Sequence, residues 1–193
     1  MKTSSEVLIA DLVERAKSNL NQAQALRQEA KEALNWKAGP SVWSALECFD
    51  HMNQYSKVYL DRIEEGMEGD QRAPQDNFSS SGMGNWFAKL MRPGGEGTKM
   101  KTFKSKNPNG KVLETSVIDT YIHDQERSLK LLDLARSKNL SKIKVPTDLG
   151  SWAKVKLGDA FRIIVYHNQR HLEQAERSFN AYVEQIRSAS ATS

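Results

Sequence analysis

Leu157-Gly158-Asp159-Ala160-Phe161-Arg162-Ile163-Ile164-Val165-Tyr166-His167-Asn168-Gln169-Arg170-His171-Leu172 carries the helix on which the reading of the whole chain turns. From Leu157 to about Arg187 one apolar stripe runs through Leu157, Ala160, Ile164, His167, His171, Ala175, Ser178 and Tyr182, the spacing of a single helical face. Two imidazoles therefore sit inward, one turn apart. At i and i+4 their rings leave the same side of the helix with Cβ atoms about 6 Å apart, so both can chelate one ion. The competing reading is a pair of hydrogen-bonded core histidines. Burying two imidazoles without partners costs on the order of a few kcal/mol, and a metal ion removes that cost. Spacing alone leaves both readings standing.

Working outward, three further segments carry helical periodicity. The first spans about Ser4 to Trp36, with Leu8, Leu12, Ala16, Leu20, Ala23, Leu26, Ala30 and Leu34 three or four residues apart, and Gly39-Pro40 closes it. A second runs from about Trp43 to Glu65, where Ser44 and Glu47 form a capping-box signature and Gly66, Gly69 and Pro74 follow the end. The third covers about Val112 to Ser137, with Val117, Tyr121, Leu129 and Leu132 among its inward positions. Between the second and third helices, residues 66–110 are broken by Gly82, Gly84, Pro93, Gly94, Gly95, Gly97, Pro108 and Gly110, which leaves room for one short helical turn near Asn85–Met91. Asn139 to Trp152 reads as another connection. No stretch alternates convincingly over five residues, so no strand is expected. The expectation is an all-α four-helix bundle forming one domain over 1–193, with an irregular crossover at 66–110.

Bulk composition narrows the class. At 193 residues, 38% hydrophobic and 27% charged, the chain suits one soluble domain. No apolar run approaches the roughly 18–20 residues of a membrane helix, and Met1 to Glu6 lack the apolar core of a signal peptide. The single cysteine, Cys48, excludes an internal disulfide framework and suits a reducing cytoplasm. A net charge of +4 and an isoelectric point near 9.1 raise the question of nucleic acid. The only local basic run, Lys99, Lys101, Lys104, Lys106 and Lys111, holds one aromatic residue, Phe103, and reads better as a solvated loop than as a stacking surface.

A third metal ligand is available at His51, which shares a face of the second helix with Cys48, Tyr55 and Val58. Of the four histidines, only His123 reads as exposed, being followed by Asp124, Gln125, Glu126 and Arg127. Two familiar metal chemistries fail on particular residues. The position after His167 is Asn168 and not the glutamate of a helical metalloprotease motif. Glu47 precedes His51 by four residues, so the Glu-x-x-His pairs of di-iron bundles are missing. Cys48 reads as a structural core residue rather than an extra ligand. Three imidazoles with open positions suit a catalytic rather than a structural ion.

The segment Trp43-Ser44-Ala45-Leu46-Glu47-Cys48-Phe49-Asp50-His51-Met52-Asn53 resembles the second-helix motif of the DinB/YfiT-like superfamily. Tyr166-His167-Asn168-Gln169-Arg170-His171-Leu172-Glu173-Gln174 is similar to its fourth-helix H-x-x-x-H-L-x-Q motif. Phe103-Lys104 followed by Pro108 resembles a loose form of its Phe-Lys-Pro segment, with three residues intervening. The resemblance covers nearly the whole chain in order. It implies a four-helix bundle, often a homodimer, with one divalent ion, nickel or zinc first and manganese or iron next, on His51, His167 and His171. It also implies a small-molecule substrate and, in some relatives, a low-molecular-weight thiol cofactor used by S-transferases.

The expected function is therefore metal-dependent S-transferase or hydrolase chemistry, in which a thiol or water loses its proton at the ion and attacks a small electrophile. The alternative is a non-enzymatic metal-binding dimeric stress or interaction protein. Trp86, Phe87 and Phe103 are candidate pocket walls. Gln174 is a candidate for orienting a ligand, and Tyr55 and Tyr166 are candidate polar groups near the ion.

Overall fold

The computed structural model describes residues 1–94, 102–148 and 150–191. Among these residues the helices are α1 (Ser5–Leu26), α2 (Lys31–Asn35), α3 (Ala45–Met67), α4 (Gly82–Met91), α5 (Ser116–Leu134) and α6 (Leu157–Ala191), with short 3-10 turns at Lys104–Lys106 and Ala135–Ser137. The fold is all-α. Helix α3 packs on α5 and α6, and α1 packs on the same two, so the four long helices form a ring with α1 and α3 at opposite corners. Among the described residues no helix is long and apolar enough to cross a membrane.

Two small antiparallel ribbons correct the expectation of no strands. β1 (Lys2–Ser4) pairs with β2 (Asn77–Ser79), and β3 (Lys144–Thr147) pairs with β4 (Gly150–Lys156). In β4 the inward residues Ala153 and Val155 are buried and lead directly into buried Leu157, while Trp152 stands 80% exposed. The exposed indole hides an alternation that is present in the sequence. The first predicted helix is also two helices. No glycine or proline marks the break; α1 ends at Arg27, whose guanidinium turns to Asp119 at 2.7 and 3.1 Å, and Ala30 adopts an extended backbone ahead of α2.

Nor is the 66–110 crossover wholly irregular, since it carries β2 and the ten-residue α4. Within it, Gly95, Gly97, Lys99 and Lys101 lie outside the described residues. Helix α4 lies along α6 and is fixed there by a buried charge cluster. Asp159 accepts from Ser81 N (3.0 Å), Ser81 Oγ (3.2 Å), Ser80 Oγ and Arg162 Nη1 (3.0 Å), while Arg162 Nη2 reaches Asn85 Oδ1 at 3.2 Å. Gly84 makes this approach feasible: a Cβ there would sit 2.7 Å from the Asp159 Cβ. With α4 on one side and the β3–β4 ribbon on another, every residue from 157 to 168 is buried. The sequence stripe captures only one side of a helix that is covered all round in this half.

At the start of α3 the capping box forms as expected. Ser44 Oγ accepts from Glu47 N at 3.1 Å and Glu47 Oε2 accepts from Ser44 N at 2.8 Å. The fully buried Glu47 carboxylate does more. It also accepts from Lys37 Nζ (3.1 Å), Gly110 N and Lys111 N (3.1 Å), tying the end of the crossover to the first turn of α3.

Candidate metal centre

His51 from α3 and His167 and His171 from α6 meet in the bundle, with candidate ligand atoms all within 4.8 Å of one another. Their ring centroids are 5.2 Å (His51–His167), 4.5 Å (His51–His171) and 4.6 Å (His167–His171) apart. His51 and His167 are almost wholly buried. The i,i+4 spacing on α6 supplies two rings, and the α3–α6 packing brings the third against them.

Each Nδ1 has its own oxygen acceptor. His51 Nδ1 lies 3.0 Å from the carbonyl of Lys106, His171 Nδ1 lies 3.1 Å from Gln174 Oε1, and His167 Nδ1 lies 3.4 Å from Asn168 Oδ1. Asn168 is itself held by its Nδ2 donating to Ser56 Oγ at 3.3 Å. A carbonyl oxygen accepts only, so these partners assign the proton to Nδ1 and leave the Nε2 lone pairs free to ligate. His51 Nε2 and His167 Nε2 then face each other at 3.3 Å. Two lone pairs at that separation repel unless a cation lies between them. A tetrahedral ion with metal–nitrogen bonds of about 2.1 Å places neighbouring nitrogens about 3.4 Å apart, which the His51–His167 pair matches, and three imidazoles are a donor set that suits such an ion.

Electrostatics favour the ligating form. Burial, first of all, holds all three imidazoles neutral: it lowers His51, lowers His167 well below the usual value and brings His171 down to about 3. The neighbouring imidazoles and Arg170 add to the effect at His167 and His171. A neutral imidazole is the state a divalent ion requires.

The histidines form one wall of a cavity of about 160 Å³. Phe87, Met91, Phe103, Ile163 and Ile164 give it an apolar lining, while Tyr55, Asp148 and Arg170 supply polar groups. Tyr55 stands 5.0 Å from the His51 ring and 4.9 Å from that of His167. Lys106, whose carbonyl holds His51, sets its ammonium 4.1 Å from the Tyr55 centroid and 3.3 Å from Asp148 Oδ2; Arg62 takes the other Asp148 oxygen at 2.7 Å. Trp43, which is not on the cavity lining, packs on two of the rings, stacked at 5.8 Å on His171 and tilted at 4.8 Å on His51.

The expected residues divide as follows. His51, His167 and His171 are brought together, and His123 is exposed. Gln174 does orient His171. Phe87, Phe103 and Tyr55 line the cavity, but Trp86 points away with 59% exposure. Tyr166 is not on the cavity lining: it is buried, with the guanidinium groups of Arg15 (5.3 Å) and Arg162 (6.0 Å) near its ring. Cys48 is fully buried, with its thiol pushed up by burial and by Glu47, and serves as core. The sequence does not mark Lys106, Asp148 or Arg170 as site residues, and Lys106 enters its reading only as part of a basic run. Lys106 acts through its backbone, which no side-chain pattern marks, and Arg170 is hidden by lying between two histidines that attract attention first.

A family model described as the DinB superfamily matches residues 12–175, and the chain belongs to that superfamily. No curated protein and no solved structure matches the chain.

Proposed function

We propose that this member of the DinB superfamily is a metal-dependent enzyme that activates a small thiol or a water molecule for attack on a small electrophile, with His51, His167 and His171 holding one divalent ion. The observation that carries this reading is the convergence of three neutral imidazoles whose Nδ1 atoms are all engaged by oxygen acceptors, at the wall of an apolar cavity. A structural ion is usually enclosed by four protein ligands, whereas three histidines on the wall of a cavity would leave room for an exchangeable ligand beside them. A divalent ion held there supplies Lewis acidity and lowers the pKa of the thiol or water that approaches it.

The chain supplies the remainder. Lys106, Asn168 and Gln174 fix the proton on each Nδ1 and hold the rings in register. Phe87, Met91, Phe103 and Ile163 exclude bulk water and give an apolar body somewhere to rest. Burial, with Asp148 nearby, raises Tyr55 to about 12, so its phenol keeps its proton and can donate a hydrogen bond to a developing anion. Buried Cys48 is not available as the nucleophile, which is why the thiol in this reading is a separate small molecule.

The test is to load purified protein with nickel, zinc or manganese and follow loss of free thiol in the presence of an alkyl halide or epoxide, and ester hydrolysis in its absence. Turnover that needs the ion and disappears in His171→Ala supports the proposal. Full loading with no turnover in either assay would leave a metal-binding protein without this chemistry.

A further inference from the structure

Arg170 lies on the cavity lining, one residue before His171. Its Nη1 donates to the carbonyl of Leu90 at 3.0 Å, in the last turn of α4, which holds the guanidinium in place. Among the described residues no carboxylate forms an ion pair with it. Among the described residues the only acidic one on the lining is Asp148, and both of its oxygens already face cations, Arg62 at 2.7 Å and Lys106 at 3.3 Å. Asp148 is thus already engaged by Arg62 and Lys106, and Arg170 is the cation on the lining that no described carboxylate pairs.

We propose that Arg170 is the anchor for a carboxylate on the substrate, and that the substrate class is a small organic acid with a compact apolar body. With one Nη1 hydrogen on Leu90, the Nε–Nη2 edge of the guanidinium remains to meet a carboxylate with two parallel hydrogen bonds. The size follows from the cavity: about 160 Å³ is close to the roughly 150 Å³ that accepts a benzene ring in an engineered protein core. Phe87, Met91, Phe103 and Ile163 would contact that body while Arg170 fixes its acid end, so the opposite end is presented to the three histidines. This inference rests on the proposed function only for what happens at that end; the anchoring belongs to the chain's own residues.

The experiment compares phenylacetate with phenylacetamide, the same body without the charge, by calorimetry on metal-free and nickel-loaded full-length protein. Wild type is expected to prefer the acid by tenfold or more in both states. Arg170→Gln should erase the preference, and Arg170→Lys, which keeps the charge but not the fork, should restore part of it. Metal content of Arg170→Gln, measured in parallel, should match wild type. Equal binding of acid and amide by wild type, or an undiminished preference in Arg170→Gln, would overturn the inference. A preference that depends on Arg170 in a protein that takes up no metal would sustain the anchor while removing the metal-dependent reading, so the two fail separately.

Discussion

The carbonyl oxygen of Lys106 accepts from His51 Nδ1 at 3.0 Å, across 55 residues of sequence. The crossover is thereby part of the candidate metal centre, although none of its described side chains is among the three imidazoles. Its far end is pinned by Glu47, which accepts from Gly110 N and Lys111 N only one turn before His51 on the same helix. Glu47→Ala is therefore expected to weaken metal binding with all three histidines intact, by about 10–100-fold as for other outer-shell losses. Competition against a chelator of known affinity measures it. Unchanged affinity would mean that the Lys106 carbonyl is held by other contacts.

Removal of a ligand should act differently. His167→Ala is expected to abolish one-per-chain metal content while leaving the far-ultraviolet circular dichroism of the helices largely intact, since the four-helix ring rests on apolar packing distributed over two buried clusters. Full occupancy in the variant would remove His167 from the site.

The depressed histidine values give the metal-free protein a pH dependence of definite sign. An unfolded histidine takes up a proton near pH 6.5, whereas His171 in the fold does so only near 3, and His51 and His167 are lowered too. Above pH 6.5 neither state is protonated and nothing is lost. Below it the unfolded state binds protons that the fold refuses, so stability falls as pH drops, by up to about 1.4 kcal/mol per pH unit for each histidine still neutral in the fold. Urea denaturation of metal-free protein at pH 7.5, 6.5 and 5.5 should show a plateau and then a decline, and His51→Gln should flatten the decline.

Gly84→Ala tests how α4 is seated. The added methyl would meet Asp159 from its Cβ, 2.7 Å away, to its carboxylate, and the cluster of Ser81, Asp159 and Arg162 must shift to admit it. A loss of about 1–3 kcal/mol is expected from overpacking, read from the denaturation midpoint. Because α4 carries Phe87 and Met91, weaker retention of apolar ligands should accompany it.

Much of this arrangement was legible in the chain. The helix periodicities, the Ser44–Glu47 box and the i,i+4 histidines are local patterns, and local patterns survive folding. The oxygen acceptors were less accessible. Gln174 could be found because it lies one turn from His171, but the Lys106 acceptor is backbone and depends on how a distant segment docks. Strand β4 was missed because Trp152 occupies an outward position where a polar residue is expected. On α5, Asp124 and Gln125 are buried despite their polarity, so a charged run after His123 correctly marked that residue as exposed while misjudging its neighbours.

The 116 residues separating His51 from His167 have a kinetic consequence. The three rings can meet only once α3 has docked against α6, so the cluster is expected to form together with that non-local contact and not before it. During synthesis His51 emerges long before His167 exists, and an ion meeting the nascent chain finds at most one of the three rings. On the proposed reading an ion would then be taken up by a scaffold already formed, and its rate of uptake would report how often the cavity opens rather than how fast the protein folds.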